Sequence, residues 1–214
     1  MAEQGSTVRT RRLTSRGAAT RARIVESASE LMFAQGVTPT TLDEVMAASG
    51  TGKSQFYQHF SDKTDLAREV VAYRAARVLE RERSYLDRVD TLAGLDRWRV
   101  AVVQRVTTRH GAYGCELGSL VAELADQDED ARVALARHFA TWETLLVAAL
   151  ERMKGKHVLR DDADARALAT GIMASLQGGY LLAQLAKDAA PMHTALEMAF
   201  DRVRSFAADR RRPR

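Results

Sequence analysis

The stretch Ala47-Ala48-Ser49-Gly50-Thr51-Gly52-Lys53-Ser54 is the chain's nearest approach to a catalytic motif. Gly52, Lys53 and Ser54 fill the last three places of a phosphate-binding loop, G-x-x-x-x-G-K-[ST]. There backbone N–H groups cradle phosphate, the lysine reaches the outer phosphates and the hydroxyl holds magnesium. Ala47 stands where the first glycine is required. Such a loop also joins a buried strand to a long helix, so that the loop amides and the helix dipole converge on phosphate. Here Leu42 to Ala48 reads as an amphipathic helix, the following helix is short, and no apolar run with two carboxylates offers a magnesium-binding strand. A P-loop nucleotide-binding enzyme is therefore only the alternative reading. No Ser/His/Asp set or carboxylate pair has catalytic spacing, and no enzyme activity is expected. His110, Tyr113, Cys115 and Glu116 cluster near a glycine-flanked break without metal-ligand spacing. No metal and no cofactor are expected.

Two short helices joined by a tight glycine turn make a helix-turn-helix unit, whose second helix enters the major groove with its N-terminal residues first. In that reading Thr51, Gly52, Lys53, Ser54 and Gln55 form the leading edge. The small residues permit close approach, Lys53 reaches a guanine edge or a phosphate, and Gln55 can pair with adenine.

The surrounding elements agree. Only Pro39, Pro191 and Pro213 interrupt 214 residues, aromatic residues are 6% and good helix formers dominate, so an all-α fold is expected. Apolar side chains at helical spacing place a first helix at about 18–35 and short helices at about 42–48 and 52–59. A long helix opens at Ser61-Asp62-Lys63. Thr41 and Glu44 form a capping-box pattern, and Gly36 and Gly50 are terminators. Further on, Leu95 to Val106, Leu117 to Leu124 and Leu135 to Met153 mark three more helices. Two others are expected over 161–187 and 191–208, the last with Pro191 in its first turn.

The sequence pI of about 9.4 points to an anionic partner. The excess is local: residues 9–23 hold six arginines and no acid, whereas residues 24–65 carry a net charge of −4. Residues 1–16 are read as a disordered basic arm that adds non-specific DNA affinity. Cys115 is the single cysteine, which excludes an internal disulfide, fits a reducing cytoplasm and reads as a small buried hydrophobe rather than a redox sensor. The N-terminus shows no apolar signal segment. Residues 167–186 carry no formal charge and are long enough to cross a bilayer. Gln177 near their centre and the small residues favour a helix buried in protein, so no membrane contact is expected.

The chain resembles the TetR/AcrR transcriptional regulators. The likeness runs from Thr20-Arg21-Ala22-Arg23-Ile24 through Gly36 and Thr41-Leu42-Asp43-Glu44-Val45 to Phe56-Tyr57-Gln58-His59-Phe60-Ser61-Asp62-Lys63, and it ends at Leu66. It implies a three-helix DNA-binding domain over 17–62 and a helical ligand-binding and dimerisation domain over 63–209. By position it implies phosphate contacts from Thr41, Tyr57, His59 and Lys63, with Phe56 and Phe60 in the core. Gln58 departs from the aromatic residue common there. The segments 114–120 and 177–184 resemble an LmrA/YxaF-like branch.

The partners so implied are a palindromic double-stranded operator, a small-molecule effector and a second copy of the chain. A homodimeric, ligand-responsive repressor is the expected function. Trp98, Tyr113, Cys115, Glu116, Trp142, Met173, Gln177 and Tyr180 are the candidate effector residues. Gly171, Gly178 and Gly179, with the stripe Leu196, Phe200 and Val203, are the candidate dimer interface.

Overall fold

The structure is a computed structural model that describes residues 14–208. Most of the basic arm, residues 1–13, lies outside the described residues. The described residues form nine helices and no strand, beyond one isolated bridge between Leu159 and Ala207. Three make the N-terminal unit: α1 (Ser15–Gln35), α2 (Leu42–Ser49) and α3 (Lys53–Phe56). Six follow: α4 (Lys63–Leu86), α5 (Leu92–Thr108), α6 (Gly118–Leu124), α7 (Glu129–Gly155), α8 (Ala165–Ala186) and α9 (Ala190–Arg204).

Local chemistry sets most boundaries. The Thr14 hydroxyl accepts from the Gly17 N–H, so α1 opens at Ser15, earlier than the periodicity predicts. Thr41 and Glu44 form the expected capping box on α2, and Gly50 ends that helix in the left-handed region at φ 61°. The α3 helix is shorter than expected, a single turn followed by tight turns to Phe60. Asp164, not Asp161 or Asp162, caps α8: its carboxylate accepts from the N–H groups of Arg166 and Ala167.

Long α4 joins the two halves, packing on α1 at one end and α7 at the other. Ile24, Ala28, Val45, Phe56, Phe60 and Leu66 close the core of the N-terminal unit. Helix α7 is apolar and long enough to cross a membrane by composition, but Leu135, Trp142, Leu146 and Leu150 on it are buried in the protein. Helices α8 and α9 pack closely along their length.

That packing corrects part of the expected interface. Leu196, Phe200 and Val203 are buried inside the protomer at 0%, 3% and 1% exposure, with Phe200 stacked on Trp98 at 6.2 Å. Gly179 is also internal, since a Cβ there would lie 2.7 Å from the Met192 sulfur of α9. An apolar stripe serves whichever core covers it, and here α5 and α8 of the same chain do so. Gly171 and Gly178 remain on the open side, where an added Cβ meets nothing within 4 Å. Leu182, Leu185 and Met198 are exposed on these two helices.

Candidate nucleic-acid interface and effector cavity

The turn at Gly50 presents the start of α3 to solvent. Gly52, Lys53 and Ser54 are exposed, Gln55 is half-buried and Tyr57 stands 49% exposed with its ring edge-on to Phe56. Phe56 and Phe60 anchor this turn from below, both fully buried. Arg21 and Arg23 belong to this scaffold and not to a free arm. Arg21 pairs with Glu69 at 2.8 Å and lies over the Phe60 ring, and Arg23 donates to the Ser49 carbonyl.

Thr51 does not join the leading edge. It is 5% exposed, and its hydroxyl is engaged with the Ser49 hydroxyl and carbonyl, so it fastens the turn. Thr41 caps α2 as expected, but its N–H and hydroxyl both donate to the Glu44 carboxylate, at 2.7 and 2.8 Å. A phosphate would have to displace that carboxylate, which these bonds hold below the usual acidic range. Lys63 donates its ammonium to the Thr38 carbonyl at 2.7 Å and remains at the surface. His59 has Nδ1 buried without a partner, so only its other edge can meet DNA.

In the C-terminal half a cavity of about 660 Å³ opens between α6, α7 and α8, with mostly apolar walls. The candidates Cys115, Gln177 and Tyr180 line it, together with Phe139, Val121 and Leu181, which were not among the candidate effector residues. Trp142 borders the narrow void of about 20 Å³ beside it, shared by Cys115, Glu116 and Tyr180. Burial pushes the Cys115 thiol up and the Tyr180 phenol up to about 12, so both are neutral at physiological pH. Two buried donors lack a full partner: Trp142 Nε1, and Gln177 Nε2, which has only a weak approach to the Cys115 sulfur.

Three expected effector residues lie elsewhere. Trp98 is wholly buried and donates its indole N–H to Glu82 at 2.7 Å; it is core. Met173 is buried and lines neither cavity. Tyr113 is 47% exposed and packs on Phe33 at 5.3 Å, against the N-terminal unit.

Glu123 was not anticipated. It lines the apolar cavity from α6, and its carboxylate accepts the N–H groups of Val37 and Thr38 at 2.7 and 3.1 Å, in the turn between α1 and α2. One side chain thus touches both the cavity and the helix-turn-helix unit. A lone acid on a helix with apolar neighbours gave no signal, because its partners are backbone groups 86 and 85 residues away. Glu123→Ala removes charged acceptors from two amides, so Val37 and Thr38 should exchange their amide protons at least about tenfold faster. Exchange in α9 should not change. Unaltered protection of the two amides would show that the turn is held without Glu123.

Residues 24–70 match the bacterial regulatory proteins of the tetR family, and residues 92–198 match the C-terminal domain of LmrA/YxaF-like transcriptional regulators. The chain is 26% identical over 194 residues to an HTH-type transcriptional regulator in the lacX 3'region of Lactococcus lactis, with 87% of this chain and 92% of that protein covered. It is 27% identical over 183 residues to the HTH-type transcriptional regulator YxaF of Bacillus subtilis, with 84% and 92% covered. A TetR transcriptional regulator from Chloroflexus aurantiacus superposes with a TM-score of 0.78 at 22% identity, over 91% of this chain and 99% of that one. The reduced form of NemR from Escherichia coli superposes at 0.76 and 23% identity, over 89% and 98%.

Proposed function

This chain belongs to the TetR family of transcriptional regulators, which are not enzymes, and from that premise we propose a homodimeric repressor that leaves a palindromic operator when a small molecule fills the α6–α8 cavity. The observation that carries this reading is Glu123, which borders the cavity and holds the turn ahead of α2. A ligand that prefers one position of α6 biases the helix-turn-helix unit by its difference in affinity for the two positions, and by no more. The cavity favours an apolar molecule with one hydrogen-bond acceptor, since Gln177 offers a buried amide donor against Phe139 and Leu181.

On DNA, Lys53, Ser54 and Gln55 lead into the major groove, while Tyr57, His59 and Lys63 meet phosphate. A two-fold dimer then places two α3 segments on half-sites about one helical turn apart. Gln55→Ala should change the preferred sequence, because base contacts specify. Tyr57→Phe should weaken binding to every sequence alike, by up to about tenfold, because phosphate contacts only position the protein. Selection of sites from randomised DNA with each variant is the test. An unchanged preference for Gln55→Ala would remove its role, and failure of the parent protein to enrich any sequence would overturn the reading.

A further inference from the structure

A second cleft, of about 510 Å³, opens where the N-terminal unit meets the C-terminal half. Phe33 and Ser29 of α1 form one wall, and Tyr73, Arg74, Arg77 and Arg81 of α4 form another; Arg109 and Glu116 close it. No role so far described uses it. We propose that this cleft binds a small organic monoanion, a carboxylate on a flat apolar body, at a site separate from the α6–α8 cavity.

The charge census leads there. Glu116, in the floor, is already served by Arg74 at 3.3 Å and Arg81 at 3.1 Å, with Arg109 at 3.9 Å. Glu82, fully buried behind the cleft, holds Arg81, Arg105 and the Trp98 indole. Among the described residues no buried carboxylate in the cleft is left for the remaining cations. Arg77 meets no carboxylate at ion-pair distance among the described residues; it gives one N–H to the Tyr73 hydroxyl at 2.8 Å and lies over that ring. Arg77 lines the cleft together with Arg109, whose pairing with Glu116 at 3.9 Å is weak. Planar guanidinium forks match carboxylate geometry.

The same residues set the class of ligand. Glu30 and Glu80 also line the cleft, exposed and without an ion pair among the described residues. With them the walls hold four arginines against three glutamates, a surplus of one positive charge. That suits a single carboxylate and disfavours a polyphosphate, whose further charges would meet the two glutamates. Phe33 supplies apolar surface in the wall, with the Arg74 guanidinium 4.3 Å and that of Arg109 5.8 Å from its ring centroid. Desolvation lowers the Arg74 pKa, and the Arg77 charge adds to that, so a neighbouring anion would relieve crowding of like charge.

The test is titration calorimetry with 2-naphthoate, its neutral isostere 2-naphthamide and inorganic phosphate. The proteins are the parent chain, an Arg77→Gln/Arg109→Gln double variant and Val121→Trp, which fills the other cavity. Both arginines are exposed, so their replacement leaves the fold intact. Naphthoate should bind the parent at millimolar concentration, naphthamide and phosphate should bind at least about tenfold more weakly, and the double variant should lose about tenfold in naphthoate affinity. Val121→Trp should bind naphthoate as the parent does. Absence of naphthoate binding, equal binding of the amide or of phosphate, or loss in Val121→Trp would each overturn the site. Operator binding of the same proteins, measured separately, tells failure of this proposal from failure of the regulator reading.

Discussion

Glu82→Ala is expected to be the most damaging single substitution in the C-terminal half, at about 3–5 kcal/mol of stability. Glu82 is 0% exposed on α4. One carboxylate oxygen accepts from the Trp98 indole at 2.7 Å, and the other faces Arg81 and Arg105, each at 3.1 Å. Removing it leaves the buried indole N–H with no acceptor, takes from Arg105 its carboxylate and leaves Arg81 with Glu116 alone. The cost is the desolvation of those orphaned groups, larger than the net worth of the intact contacts. Glu82→Gln should lose less, since the amide oxygen keeps an acceptor for one donor. Thermal unfolding should fall by roughly 10 °C for the alanine variant. A melting curve within a degree or two of the parent would mean that Glu116 suffices for Arg81 and that Arg105 and the indole find other acceptors.

Gly178→Arg should leave the protomer folded and weaken the dimer by about 100-fold or more. Gly178 sits on the open face of α8, where an added Cβ touches nothing within 4 Å, so the single chain accommodates a side chain there. Beside it Leu182 and Leu185 are 51% and 81% exposed, and Met198 of α9 is 69% exposed. A groove of about 330 Å³ lined by Gly171, Ser175 and Met198 runs between the two helices. Apolar side chains gathered on adjacent helix faces are the kind of patch a partner covers. In a two-fold interface the substitution enters twice, placing two unpaired cations near the axis. Operator affinity should fall with dimerisation although no DNA-facing residue has changed. Sedimentation velocity at micromolar concentration and a melting curve read the two effects apart. A fully dimeric variant with unaltered operator binding would remove this face as the interface.

The helices themselves were legible because burial on one face imposes the 3.6-residue period on a chain with three prolines. The capping box of Thr41 and Glu44 and the left-handed Gly50 were legible because a cap is satisfied within a few residues of itself. The same locality exposed the false nucleotide-binding motif: Gly52-Lys53-Ser54 opens one helical turn after another helix, with no strand before it. Thr51 was misjudged because its hydroxyl can face DNA or fold back on Ser49, and composition does not separate the two. Arg74, Arg77 and Arg81 recur at helical spacing on α4, where such charges ordinarily read as a solvated face. Arg74 is buried and Arg81 half-buried because Glu116, which arrives from another part of the chain, pairs with both, while Arg77 stays exposed.

Periodicity, caps and turn residues thus establish which segments are helices and where the helix-turn-helix lies, since each of these is settled by neighbours in the chain. They do not say which apolar stripe meets which neighbour. Leu196, Phe200 and Val203 look the same whether they face a second subunit or Trp98, and only the docking of α9 on α5 and α8 places them inside. Glu123 likewise acquires its meaning from two amides at the far end of α1. Contacts across such separations follow from how the helices pack together, which the order of residues along any one of them does not encode.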